Sequence, residues 1–452
     1  TSTSGTWDLS TNAVSDQSGQ VVHIDNTSIN DVTITNNGTI WSTENNAIEM
    51  DGTDIRGTAT ITNNTDATIR SDSTATDEAA IKIQDTTGSI EITNAGTITS
   101  KAQGILNKGA TIKSLTNSGT LETTGTWSTS LDIGSLYNDE ASTITTLTNE
   151  STGTIQGTKP NRSGIVNKGT ISALTNSGTI QGTGVTLSYG LFNTGTITSL
   201  TNDSVGIISS ANSKGLNNTG IITRLKNEGT IQGTGNSNSE GLYNSGTINF
   251  LSNDSTATIT STFNVGLRND DTIKHLYNGG TISSTNNYGL YNTLSNTIAD
   301  FKNTGTISST KSFAIVNVGA MTDFENSGTI SSRTMINNTG TITNLYNSQG
   351  FAGASSDPLT LTGNLPTNYF VTIDSTTDYG QLSVDSGVGN INFAITEGSV
   401  IGVPTATQIT YSSAATLNPN DGVAYQIDGN GTDITLVVDS DYTVIGPSHN
   451  LL

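Results

Sequence analysis

The stretch "ALTNSGTI", residues 173–180, places Leu174, Asn176, Gly178 and Ile180 on one parity and Thr175, Ser177 and Thr179 on the other. Such alternation marks a strand with one side turned inward. Asn and Gly are poor residues for the middle of a strand. A bend between two short strands suits both, because both tolerate positive φ and Asn bonds nearby backbone. The phrase therefore predicts strand, corner, strand.

Asn-x-Gly-Thr-Ile, sometimes with Leu in the last place, recurs at Asn36, Asn94, Asn117, Asn167, Asn176, Asn193, Asn227, Asn244, Asn278, Asn303, Asn326 and Asn338. Looser copies begin at Asn107, Asn149, Asn202, Asn218, Asn253, Asn269, Asn292 and Asn317. The phrases come in pairs. The first member usually follows Gly-[Leu/Ile]-x, and the copies ending at Asn167, Asn193, Asn218, Asn244, Asn269 and Asn292 lie 23–26 residues apart. A unit of about 25 residues cannot bury its own apolar face, but stacked coil on coil it can. The expected fold is all-β, a right-handed parallel β-helix solenoid of about 25 residues per coil with a C-terminal β module. Stacking sets Ile on Ile, Leu on Leu and Asn on Asn, and an inward amide can bond the same amide in the next coil or local backbone. The expected corner ladder comprises Asn167, Asn176, Asn193, Asn218, Asn227, Asn244, Asn269, Asn278 and Asn303. Recurrence in every coil marks these residues as architecture, since a single site is made by exceptions to a repeat.

The composition agrees with short strands and tight turns. Of 452 residues, 12% are charged and 5% aromatic, and helices would want more Ala, Leu, Glu and Lys. The net charge of −21 repels phosphate backbones, which argues against a nucleic-acid partner. With no Cys, neither disulfides nor thiolate metal sites are available. No apolar run approaches the roughly 20 residues of a membrane helix, so no membrane insertion by this chain is expected. The chain starts at Thr1 with no signal-like segment, and the reading is a mature chain whose targeting segment was removed.

Along the chain, residues 1–30 ("TWDLS", "VVHID") read as an N-terminal β cap, 31–350 as the repeat array, and 351–452 as a C-terminal β cap or autochaperone-like module. Within the array, "GTWSTSLDIGSLYNDEAS" (125–142) reads as a surface loop. The stretch "LYNSQGFAGASSDP" marks a boundary near 348–358, and Asp428-Gly429-Asn430-Gly431 is a hairpin signal. The array, together with "PTNYFVTIDSTTDYGQLSVDSG" at 366–387, resembles the passenger domains of bacterial autotransporters over about 31–440. The resemblance implies a secreted or surface β-helical protein, low in Cys, in which 366–387 corresponds to a β segment that assists folding. No transmembrane barrel precedes the terminal "SHNLL", so the reading expects a barrel removed or a different export route.

Polysaccharide lyases and hydrolases also use β-helices, with two or more carboxylates and often Lys, Arg or His facing one cleft. The densest candidate is "LRNDDTIKHLYN", with Arg268, Asp270, Asp271, Lys274 and His275. Asp270 and Asp271 stand where other copies have Ser-Gly or Thr-Gly, which reads as a solvated corner. His23, His275 and His449 are far apart and lack zinc-site spacing. Neither a calcium loop, nor a nucleophile elbow, nor a phosphate loop is present. The chain is therefore read as a non-enzyme, with no catalytic, cofactor-binding or metal-binding residue assigned.

The position between Leu and Asn holds Val166, Phe192, Asn217, Tyr243, Arg268, Tyr291 and Val316, and Tyr277 and Tyr346 take the equivalent place at second-member corners. Stacking aligns the first set into a partly aromatic stripe. The favoured reading is that the rings cover one another. The other reading is a contact stripe of Phe192, Tyr243, Arg268 and Tyr291. The expected function is adhesion or cell-to-cell association by an extracellular or cell-surface protein. Its partner would be a second copy, head to tail or lateral, or a glycan or protein on a host or neighbouring cell. A structural subunit polymerising into a filament or layer is the first alternative, and a glycan-degrading enzyme or tailspike the second.

Overall fold

The computed structural model describes residues 20–25, 28–126, 133–235, 238–350, 357–372 and 380–395, together with the backbone of strands Gly5–Leu9, Ala13–Val14, Thr405–Thr410, Thr416–Asn418, Val423–Ile427 and Asp433–Val438. The chain forms two compact units. One comprises Thr1–Asn249 with Ser261–Phe263, the other Phe250–Thr260 with Asn264–Leu452. Both are parallel β-solenoids, with about 14 turns of about 25 residues between them, and the described residues contain no helix.

A coil visits three sheets in turn. In one coil of the first unit, Arg162–Asn167 lies in sheet 1, Thr170–Asn176 in sheet 2 and Thr179–Gly182 in sheet 3. Residues 183–190 then return the chain to sheet 1 at Leu191–Asn193. The two Asn-x-Gly phrases are thus the corners from sheet 1 to sheet 2 and from sheet 2 to sheet 3. The register sets like on like: Ile171 beside Ile197, Leu174 beside Leu200, Ile155 beside Ile180, and Leu191 beside Leu216. These side chains are fully or almost fully buried, and each burial is worth about 1.5–3 kcal/mol.

The corner asparagines form two continuous hydrogen-bonded rows in each unit. In the first unit, the sheet 2 to sheet 3 row runs Asn36, Asn63, Asn94, Asn117, Asn149, Asn176, Asn202, Asn227, each Nδ2 donating to the next Oδ1 at 2.7–2.8 Å. The sheet 1 to sheet 2 row runs Asn107, Asn138, Asn167, Asn193, Asn218, Asn244 at 2.7–2.8 Å. In the second unit the rows are Asn253, Asn278, Asn303, Asn326, Asn347 and Asn269, Asn292, Asn317, Asn338. Every one of these residues is buried. The amide also donates to local backbone: Asn176 Nδ2 reaches the carbonyls of Gly178 (3.1 Å) and Ile207 (3.2 Å). Asn138 is missing from the sequence-derived ladder, although "SLYND" carries the same Leu-x-Asn signal.

The reason for the corner glycines differs from expectation. None of the row asparagines has positive φ, and among the Asn-x-Gly glycines that conformation occurs only at Gly109. The glycines are required by closeness. A Cβ on Gly178 would strike the carbonyl oxygens of Gly153 and Glu150 and come within 2.8 Å of Asn149 Nδ2. Coils stack here at backbone contact, so the residue that abuts the preceding corner must lack a side chain.

Both rows of the second unit end in substitutions. Beside Asn347 the register places Val371, and Asn347 Nδ2 donates instead to the buried Tyr369 hydroxyl (3.2 Å). Beside Asn338 stands Gly363, and the amide donates to the Asn364 carbonyl (2.7 Å). Gln349, fully buried, accepts from Ile330 N (2.7 Å) and donates to Ile330 O (2.9 Å), replacing a strand neighbour. This is why the repeat phrase stops near 350. Parallel stacking continues past that point: Leu359–Asn364 pairs with Ile336–Asn338, and Asn368–Val371 with Thr341–Asn347. Among the described strands, antiparallel pairing enters only where Asp433–Val438 joins Thr405–Thr410 and Val423–Ile427. The hairpin signal at 428–431, residues 127–132 of the expected surface loop, part of the 348–358 boundary (351–356), His449 and "SHNLL" lie outside the described residues. The rest of that expected loop is no loop throughout, since Ile133–Asn138 is a buried strand of sheet 1. At the other end, Gly5–Leu9, Ala13–Val14 and Val22–Asp25 pair in parallel with the next coil, so residues 1–30 contribute a first coil.

Ile180→Asp, which puts a charge into this interior, is expected to cost at least about 4 kcal/mol in chemical denaturation. The outward Thr179→Asp should stay within about 0.5 kcal/mol. Asn176→Leu removes the acceptor of Asn149 and the donor to Asn202 together, with an expected loss of about 2–4 kcal/mol. Equal losses for Ile180→Asp and Thr179→Asp would refute the assignment of faces.

Candidate functional site

The register aligns the stripe on the outer side of sheet 1: Val166, Phe192, Asn217 and Tyr243 in the first unit, and Arg268, Tyr291 and Val316 in the second. Most of it is covered. The return segment before each sheet 1 strand folds over the column, so that Tyr189 lies 5.0 Å from Phe192 and Tyr288 lies 5.4 Å from Tyr291, ring to ring. Lys214 sits 5.3 Å from the Tyr243 ring centre, and Arg268 5.7 Å from that of Tyr291. Val166, Asn217 and Val316 are buried, and Phe192, Tyr243, Arg268 and Tyr291 are half-buried. Toward the N-terminus the column continues as Tyr137, Leu106, Lys82, Glu49 and His23. Ala79, Leu106, Tyr137 and Val166 form a small buried cluster against which Phe192 packs. Sheet 1 therefore carries a second, external layer of core, which leaves little of the expected contact stripe open.

The sequence cluster at 267–278 is split by the fold. Arg268 holds Asp270 through two bonds of 2.8 Å at the corner between sheets 1 and 2, and Thr293 also donates to Asp270 (2.9 Å). Asp271 and Lys274 are exposed. His275 stands apart on the outer face of sheet 2, where its Nδ1 lies 2.6 Å from Asp300. Among the described residues, no group of three or more His, Asp or Glu side chains is placed to hold a metal ion.

That outer face of sheet 2 in the second unit carries a groove. Its first outward column runs His275, Asp300, Asp323, Asn344, Asn368, Asn392, and its second Tyr277, Lys302, Glu325, Tyr346, Phe370. Between them lies an open groove of about 790 Å³ lined by Phe250, His275, Tyr277, Asp300, Lys302, Asp323, Glu325 and Tyr346 among others. Neighbouring coils tie its polar groups: Lys302 to Glu325 at 2.6 Å, and Asn344 to Asp323 at 2.7 Å. Tyr346 stacks on Phe370 with ring centres 4.3 Å apart, which turns its other face toward Glu325 and the groove. Tyr277 is fixed at the far end by a 3.1 Å hydrogen bond with Thr304. Beneath, the interior column is enlarged to Phe301 and Phe324, stacked at 4.5 Å.

In the first unit, the column equivalent to Tyr277 and Tyr346 holds Thr35, Thr62, Thr93, Thr116, Thr148, Thr175 and Thr201 in unbroken register, followed by Lys226. The groove-bearing column of the second unit holds aromatic and charged residues where most of the first unit's column holds threonine. Tyr277 and Tyr346 were singled out from the sequence. Asp300, Lys302, Asp323 and Glu325 were not, because "ADFKN" and "TDFEN" read as ordinary strands until the register places them side by side. No protein-family model, no curated protein and no solved structure matches the chain.

Burial, followed by the nearby carboxylates of Asp323 and Glu325, pushes the Tyr346 phenol up from its ordinary value. Asp323→Asn with Glu325→Gln should lower it, leaving only the effect of burial. The difference between ultraviolet pH titrations with and without Tyr346→Phe reads this residue alone. An unchanged midpoint would show that the carboxylates do not act on the ring.

Proposed function

We propose that this chain is an extracellular, non-enzymatic β-solenoid protein that works in adhesion or cell-to-cell association, and that its ligand surface is the groove on sheet 2 of the second unit. The observation that carries the reading is the groove itself, where aromatic rings and ionised groups stand together on an open sheet face. Rings with polar neighbours are what recognition surfaces are built from. Its carboxylates suit binding better than catalysis. The carboxyl that donates a proton to a leaving group sits buried, whereas Asp300 and Glu325 are 54% and 46% exposed, with His275 Nδ1 2.6 Å from Asp300 and Lys302 donating to Glu325. The resemblance of the array and of residues 366–387 to autotransporter passengers supports a surface location.

A head-to-tail polymer is the second reading. In it, one copy adds a strand to an end coil of the next, as parallel stacking within the chain does between coils.

Beads coated with the chain are expected to attach to cell surfaces, and Tyr277→Ala with Tyr346→Ala should reduce attachment at least about tenfold without moving the denaturation midpoint. Attachment unaffected by the double change would remove the groove from the proposal. Polymer formation that is lost on deletion of residues 1–20, with attachment intact in the monomer, would assign polymerisation to the first coil and adhesion to the groove.

A further inference from the structure

The groove has two properties that act on a ligand independently. Three carboxylates, Asp300, Asp323 and Glu325, face one ammonium, Lys302, so the lining is acidic in a chain whose net charge is −21. The ends are aromatic: Tyr346 presents the face that Phe370 does not cover, and Phe250 and Tyr277 close the opposite end. Tyr277 and Tyr346 are separated in register by Lys302 and Glu325, three strand spacings or about 14 Å. Carboxylates attract a cation, and the faces of aromatic rings attract it too. A ligand that carried uronic acid, sulfate or phosphate groups would meet repulsion along the whole groove.

The site is a sheet face, whose backbone N–H and C=O groups are spent on neighbouring coils. An extended peptide that docks by strand addition needs an unpaired edge, and this surface offers none. A saccharide needs only ring faces and side-chain acceptors. Asp300 and Asp323 supply acceptors on adjacent coils, and the apolar face of a sugar ring stacks on an aromatic wall.

We infer that the groove binds a polysaccharide bearing free amino groups, a segment of which lies along the stack between Tyr346 and the Phe250–Tyr277 end with its ammonium groups against Asp300, Asp323 and Glu325. This inference rests on the adhesion reading and names its ligand class. Salt weakens the contact, because the carboxylates are partly exposed and their attraction is screened.

The test is calorimetric titration of the full chain with three probes: a glucosamine oligomer with free amines, the same oligomer fully N-acetylated, and oligogalacturonate. The amine form is expected to bind at least about tenfold more tightly than the acetylated form, with no binding of galacturonate. Raising the salt concentration should narrow that gap. Asp323→Asn with Glu325→Gln should abolish the preference, while Tyr346→Phe, which keeps the ring, should preserve it. Circular dichroism and denaturation midpoints control for folding. Equal binding of the amine and acetylated forms overturns the inference, as does an oligolysine that binds as tightly as the glucosamine oligomer. If no saccharide binds yet bead attachment still depends on Tyr277 and Tyr346, the ligand assignment fails and the adhesion reading stands. If glucosamine binds in the groove but attachment is indifferent to these residues, the adhesion reading fails and the ligand assignment stands.

Discussion

Buried amides that bond to copies of themselves are the constraint on which the rest of this structure depends. An Asn side chain has two donors and an acceptor, and leaving any of them unmatched in an interior is expensive. Here Asn149 and Asn202 satisfy Asn176 from either side, at 2.8 Å each. The arrangement works only when consecutive coils stay in register, since a slip by one residue would turn every amide outward. The rows thereby hold Ile on Ile and Leu on Leu, which the hydrophobic effect alone would not specify among similar apolar neighbours. They also bring coils so close at the corners that only Gly fits there, as at Gly178.

From that constraint follows the difference between the outer faces of sheets 1 and 2. Asn-x-Gly corners are too short to cover anything, so the sheet 2 strands between them keep an open outer side. The longer return segment has no amide to fix its length, and it folds over sheet 1, placing Tyr189 on Phe192 and Tyr288 on Tyr291. The same residue types thus become a second core on one face and a groove lining on another. What decides between them is the length of the connection that precedes the strand.

The period, the inward positions and the paired corners were legible in the sequence because they recur, and recurrence turns a weak local signal into a strong one. The Asn176 amide row was foreseen for the right reason. Gly178 was foreseen for the wrong one, because close approach between coils involves residues about 25 positions apart and leaves the same local trace as a left-handed turn. Asn138 was passed over since its coil departs from the usual spacing. Gln349 and Tyr369 end the rows by side-chain and hydroxyl substitution, which no repeat pattern announces. The groove was illegible for a related reason. Asp300 and Lys302 come from one coil and Asp323 and Glu325 from the next, and the two pairs become neighbours only through register.

The division of labour that results has an energetic side. Inward positions are held by rows and columns that run through each unit, so a change at Ile180 disturbs the coils on both sides of it. Outward positions on sheet 2 touch mainly their equivalents in adjacent coils, through contacts such as Lys302 to Glu325 that are worth about 1 kcal/mol or less where exposed. The threonines at Thr148, Thr175 and Thr201 occupy, in the first unit, the position that Tyr277, Lys302, Glu325 and Tyr346 hold in the second, and each version is flanked by its own unit's amide rows. A surface can therefore be rewritten, one coil at a time, on a scaffold that does not register the change. That freedom places whatever specificity this protein has in the residues that depart from the repeat, and such departures line the sheet 2 groove.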